Sequence, residues 1–142
     1  MGNTKPIGVA YEDQDIVGAD NVTAADIYAS DEIGYTAAAQ STVTQLTSKS
    51  TGVTINASAG QITMNNASLN GTTNVAFTMT NSKISAKDAV VINVAGGVAS
   101  NATYNCWVSG HGAGTCDIVL RNISGGSLSE AVVLNFAIIH CT

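Results

Sequence analysis

The chain has 142 residues, with ten acidic and five basic side chains and a formal net charge of −5 at pH 7. That length holds one domain plus an extension and excludes two full-sized cores. Only 11% of residues are charged, against roughly 25% in ordinary soluble domains, and the acidic balance argues against nucleic acid, whose binding needs clustered bases.

The first 40 residues are chemically unlike the rest. Seven carboxylates (Glu12, Asp13, Asp15, Asp20, Asp26, Asp31, Glu32) face one base, Lys5, so this segment carries −6. The remainder holds three acids and four bases, a charge of +1. Ile7 to Tyr11 reads as one short extended strand, followed by the acidic run Glu12-Asp13-Gln14-Asp15. That run has carboxylates suited to calcium, but it lacks the glycine and the downstream bidentate Glu of an EF-hand loop. A solvated strap, or one docking on a basic partner, is the better reading, and no metal site is expected. From Asp20 to Thr42 the composition is Ala, Asp, Ser and Thr with apolar points at Ile27, Tyr28, Ile33 and Tyr35. Such a segment buries too little to fold alone and becomes ordered by contact. Residues 1–41 are therefore read as an extended arm.

From Thr42 onward, short alternating runs are separated by turn residues at regular spacing, the pattern of a sandwich or barrel. Strands are expected near Thr42–Thr47, Val53–Asn56, Gln61–Met64, Asn74–Thr80, Ala89–Val94, Thr103–Ser109, Thr115–Asn122 and Ala131–His140. Breaks fall at Ala57-Ser58-Ala59-Gly60, Asn70-Gly71, Gly96-Gly97 and Gly125-Gly126. Ser85-Ala86-Lys87-Asp88 reads as one helical turn with Ser85 as its cap. Alternation is sharpest in Asn74–Thr80, with Val75, Phe77 and Met79 on one face. The last strand is apolar on both faces apart from Asn135, so it is central or covered by another subunit. The expected fold class is all-β: an antiparallel β-sandwich or jelly-roll-like body over residues 42–142, preceded by the extended arm.

No segment reads as a membrane helix, which needs roughly 20 apolar residues. Met1 to Pro6 opens no signal-peptide pattern, so synthesis in a cytoplasm, with use there or in a particle assembled there, is expected. The six Asn-x-Ser/Thr sequons then follow from a composition rich in Asn, Ser and Thr.

The candidate chemistry is sparse. Cys106, Cys116 and Cys141 match no zinc spacing. Cys106 and Cys116 are symmetric about His111 in the expected hairpin Thr103–Asn122, which makes them cross-strand neighbours. Two buried thiols are the default reading, with a disulfide formed in an oxidising medium as the alternative. His111 is expected at the hairpin tip between glycines. Trp107, the single tryptophan, alternates with Asn105 and Ser109, so it belongs to the polar face and marks an interface or a sugar platform. No serine sits in a nucleophile elbow, and no His–carboxylate spacing suggests a triad. An enzyme is not expected, and no cofactor is implied.

The opening Thr4-Lys5-Pro6-Ile7-Gly8-Val9-Ala10-Tyr11-Glu12-Asp13-Gln14 resembles the start of small virion proteins of tailed bacteriophages. The stretches Val43 to Thr54, Gly60 to Met64, Arg121 to Ala131 and Leu134 to Ala137 are similar to a recurrent phage β module. Val17 to Gln40 lies outside the resemblance. Members of that family are head-associated: capsid cement or decoration proteins, or head fibres. The resemblance implies a β knob, commonly a homotrimer, on the outer capsid surface, made in the host bacterial cytoplasm. It implies the major capsid protein and neighbouring copies as partners, with no nucleic acid and no membrane. In that setting Ile7, Val9, Tyr11, Ile27, Tyr28, Ile33 and Tyr35 become apolar anchors of the arm, and Glu12, Asp13 and Asp15 meet capsid bases. The alternative is a head- or tail-fibre module that binds host glycans through Trp107 and the His111 loop.

Overall fold

The structure, a computed structural model, describes Thr23 and residues 25–141. The expected strand from Ile7 to Tyr11 and the run Glu12, Asp13 and Asp15 lie outside the described residues. Residues 25–33 have no regular secondary structure, and every side chain there is exposed. Gly34–Thr142 forms one compact unit. Residues 34–41, read from sequence as the end of the arm, belong to it: Ala37–Ala39 make a 3-10 turn and the first strand begins at Gln40.

Eight strands follow: β1 Gln40–Thr44, β2 Val53–Thr54, β3 Ala59–Thr63, β4 Asn74–Thr80, β5 Ala89–Gly96, β6 Tyr104–Gly112, β7 Thr115–Asn122 and β8 Val133–Ile139. They form two four-stranded sheets, ordered β1-β3-β8-β5 and β2-β4-β7-β6. One hydrophobic core lies between the sheets, so the fold is an all-β sandwich.

The sheets are mixed, where a wholly antiparallel or jelly-roll arrangement was expected. β1 runs parallel to β3, and β2 parallel to β4. The cause is the route of the chain. Over its first four strands it changes sheet at every connection, so each strand pairs with the next but one, which points the same way. The remaining pairings are antiparallel.

β3 and β8 are the inner strands of one sheet and β4 and β7 of the other. Val133–Ile139 is thus a central strand that buries Leu134, Phe136 and Ile138 in the core and turns Val133, Asn135, Ala137 and Ile139 outward. Ile62, Met79, Ile118, Leu120, Val132, Leu134 and Ile138 are fully buried, and each such side chain contributes about 1.5–3 kcal/mol. In β4, Phe77 and Met79 are buried and Val75 half-buried, while Ala76, Thr78 and Thr80 face out, as the alternation predicts.

Buried amides fasten the loops to this core. Asn81 donates from Nδ2 to the Ala57 carbonyl at 2.8 Å and accepts from the Lys83 N–H. Asn122 donates to the carbonyls of Leu69 and Gly126 and accepts from the Ser124 N–H. Both are solvent-inaccessible, and their amide groups replace water for backbone that would otherwise be unpaired. Ser85–Asp88 is a turn, not a turn of helix. Asp88 closes it by accepting from the Ser85 N–H at 2.8 Å, so the side-chain bond runs from the last residue to the first.

β5 ends at a bulge between Val94 and Gly96, and Gly97 follows with φ +69. That conformation strains any residue with a Cβ, and a Cβ here would overlap the Ala131 carbonyl. Gly97→Ala is expected to lower unfolding free energy by about 2 kcal/mol or more. A urea midpoint equal to that of the parent would contradict this account of the turn.

Candidate binding faces

The expected sites separate into an arm, two sheet faces and a cluster of thiols and imidazoles. In the segment before Gly34, Ile27 is 66%, Tyr28 89% and Ile33 80% exposed. Tyr35 belongs to the compact unit instead. Its hydroxyl donates to the Ile138 carbonyl, and its own carbonyl accepts from the Gln40 side chain at 2.8 Å. These bonds tie it to the body of this chain, while its side chain stays 38% exposed.

The outer face of the β1-β3-β8-β5 sheet carries no charged side chain. Its registered rows read Ala59–Ala137–Val91, then Gln61–Asn135–Asn93, then Thr63–Val133. Gln61 Nε2 donates to Asn135 Oδ1 at 3.0 Å within the amide row. Val91 and Ile139 stand more than half exposed on this face. In its lack of charge this face matches the centres of protein interfaces, where charged residues are depleted.

The outer face of the β2-β4-β7-β6 sheet is different. Trp107 projects from β6, 36% exposed, opposite Val119 of β7, with Ala76 of β4 beyond. Val119 is buried although it faces outward. The rows on either side are polar: Asn105–Arg121–Asn74 and Gly110–Asp117–Thr78. Thr78 Oγ1 donates to Asp117 Oδ1 at 2.7 Å, and Arg121 Nη1 to Asn74 Oδ1 at 3.3 Å. The expectation that Trp107 lies on the polar face agrees with this arrangement.

The hairpin itself differs from the expected one. The turn falls at Ala113-Gly114, and a bulge between Val108 and Gly110 shifts the register by one residue further along the pair. His111 is an exposed strand residue opposite Cys116, not the tip, and Cys106 pairs with Leu120. The two cysteines are therefore not cross-strand neighbours, and all three thiols are free. The two cysteines do share the inward face, where with Tyr104, Val108, Ile118 and Leu120 they pack on the core. Burial pushes the Cys106 thiol up. Burial, then the Asp117 charge, push Cys116 up to about 11. A nucleophilic cysteine needs the opposite shift, so the Cys116–His111 pairing has no thiolate to use.

Two polar clusters carried no readable signal in the sequence. Lys49, a lone lysine in a serine-rich stretch, is buried and donates to the carbonyls of Asn65 at 2.6 Å and Glu130 at 2.5 Å. Burial lowers its pKa, while Glu130 acts the other way. Burial, then the Glu130 carboxylate, push Tyr104 up to about 12. The second cluster centres on Asp88, which accepts from the Ser85 N–H, from His140 Nδ1 at 2.8 Å and from the Cys141 N–H at 3.2 Å. It ties the end of β8 to the turn before β5. Among the described residues no three His, Cys, Asp or Glu groups converge as metal ligands, and no helix is long and apolar enough to cross a membrane.

Compared with protein-family models, curated proteins and solved structures, the chain gives no match to any. The functional reading therefore stands on the residues and their geometry.

The Ser85 N–H, ahead of the Cys141 N–H and His140, holds Asp88 below the ordinary carboxylate value. A depressed folded-state pKa means that Asp88 adds stability above its unfolded value, and that this is lost as pH falls through the folded value. Asp88→Asn is thus expected to be less stable than the parent at pH 7, the gap closing below about pH 4. Thermal midpoints measured from about pH 2 to about pH 8 test this. A gap that persists undiminished at the acid end would contradict the assignment.

Proposed function

We propose that the chain is a structural protein of a tailed-bacteriophage head, a capsid cement or decoration protein that acts by adding interface. The observation that carries this reading is the exposure of Ile27, Tyr28 and Ile33 on an acidic segment without secondary structure. Large apolar side chains strung along a polar strap gain stability only when a partner covers them. The residues of the arm and body that resemble phage virion modules support the same reading, as does the charge-free outer face of the β1-β3-β8-β5 sheet.

In this proposal the arm anchors the protein to the major capsid protein. Ile27, Tyr28 and Ile33 are apolar contacts, joined by Ile7, Val9 and Tyr11. Glu12, Asp13, Asp15 and their acidic neighbours meet capsid lysines and arginines. The body is a rigid knob, and the charge-free sheet face packs on other copies, which makes a homotrimer the expected assembly. Several arms on one assembly raise avidity when their sites are reachable together. The location is the outer capsid surface, after synthesis in the bacterial cytoplasm. No reaction and no cofactor enter this mechanism, because bracing a shell against internal pressure needs buried area, not chemistry.

Removal of residues 1–33 would spare the compact unit Gly34–Thr142. The truncated chain is expected to keep its β-sheet circular dichroism and to lose at least about tenfold in affinity for capsids lacking the protein. Co-sedimentation measures this. Binding equal to that of the full chain would reject the arm as the anchor.

A further inference from the structure

We infer that Asn70 is a site of spontaneous covalent modification, at which the side-chain amide is lost as ammonia to give aspartate and isoaspartate. This is independent of the capsid reading, which uses the arm and a sheet face.

Asn70 is the single asparagine of the chain that precedes a glycine. It is exposed, on the connection between β3 and β4. A side chain on the following residue would shield the backbone nitrogen, and the fold forbids one here. A Cβ at Gly71 would stand 2.6 Å from the Gly125 carbonyl carbon and 2.8 Å from the Gly126 nitrogen. Packing against the Gly125-Gly126 loop thus requires glycine, and glycine leaves its nitrogen open to react.

Hydrogen bonding separates Asn70 from other asparagines. In Asn65, Asn81, Asn93 and Asn122 the amide nitrogen Nδ2 donates to a backbone carbonyl, which holds the leaving group. In Asn70 the oxygen is engaged instead: Oδ1 accepts from the Ser127 hydroxyl at 3.1 Å. Among the described residues, Asn70 Nδ2 and the Gly71 N–H have no partner. The amide carbonyl is therefore polarised by a donor placed where negative charge develops during attack. The nucleophile and the leaving group are both free.

The chemistry needs only water. The Gly71 nitrogen gives its proton to solvent and bonds to Asn70 Cγ. The Cγ–Nδ2 bond breaks, and Nδ2 takes a proton from solvent and leaves as ammonia. One water then opens the cyclic imide at either carbonyl. Opening at Cγ gives aspartate, and opening at the main-chain carbonyl gives isoaspartate. Each product adds a carboxylate to the Asn70–Thr73 and Ser124–Ser129 loops, which carry no charged side chain. Isoaspartate also inserts one carbon into the main chain between the Leu69–Leu128 bridge and the tightly packed Gly71. It should therefore loosen this end of the sandwich.

The test incubates the full chain in neutral buffer beside a synthetic peptide spanning Ser68–Thr73, which serves as a clock. Anion exchange reads the added charge, peptide mass mapping reads the position, and isoaspartyl methyltransferase labelling reads the isomer. The expected product carries one more negative charge, maps to Asn70 and forms at least as fast in the folded chain as in the peptide. Asn70→Gln should lack it. Ser127→Ala, which removes one exposed hydroxyl and leaves the core untouched, should form it about threefold more slowly. A folded chain that lags behind the peptide would overturn the inference, as would a product that maps to another asparagine. An unchanged or faster rate in Ser127→Ala would also overturn it, because the Ser127 bond would then be idle or a restraint.

Discussion

The register of β7 within its sheet is the constraint on which both the core and the outer Trp107 face depend. β7 is held between β4 and β6, and its inward residues Cys116, Ile118 and Leu120 are fully buried. Because side chains alternate, a slip of one residue would move Asp117 and Arg121 into the core and these three out. The cost of burying unpaired charge excludes that alternative. The same register therefore fixes the core, sets Trp107 beside Val119, and places one acid and one base on either side of the indole.

Other parts of the molecule follow from how little else stabilises it. There is no helix beyond one 3-10 turn among the described residues, and few charged groups are present to pair. Loops are instead fastened by buried amides and by one buried lysine: Asn81, Asn122 and Lys49 each bond backbone carbonyls. This leaves the sheet faces free of structural ion pairs. One face is uncharged and suited to packing on protein, while the other is aromatic and polar. The acidic segment before Gly34 contributes exposed apolar side chains and charge, which a compact body of this composition lacks.

Much of the body was legible from alternation and turn residues. All eight strands stand near their expected places, and β4 and β7 have the expected limits. Alternation reports which face a residue occupies, so the outward position of Trp107 and the inward positions of Cys106 and Cys116 could be read. It does not report pairing across strands. The glycine-rich run Gly110 to Gly114 offers several places to turn, and the chain turns at Ala113-Gly114, past His111, while the bulge after Val108 adds one extra residue to β6. The parallel pairings of β1 and β2 were hidden for a similar reason, since turn residues mark where a strand ends but not which sheet the chain enters next. Lys49 was missed because its partners are backbone carbonyls distant in sequence, and Asp88 because two of its three partners, His140 and the Cys141 N–H, lie at the far end of the chain, which no local pattern encodes.

The claim at the centre of the account is that this chain is a component of a virion head present in structural numbers. Quantitative mass spectrometry of purified particles, with the major capsid protein as internal standard, tests it most directly. A ratio approaching one copy per capsid subunit is the predicted result. A few copies per particle would move the protein to a fibre or vertex, and its absence from particles would contradict the account.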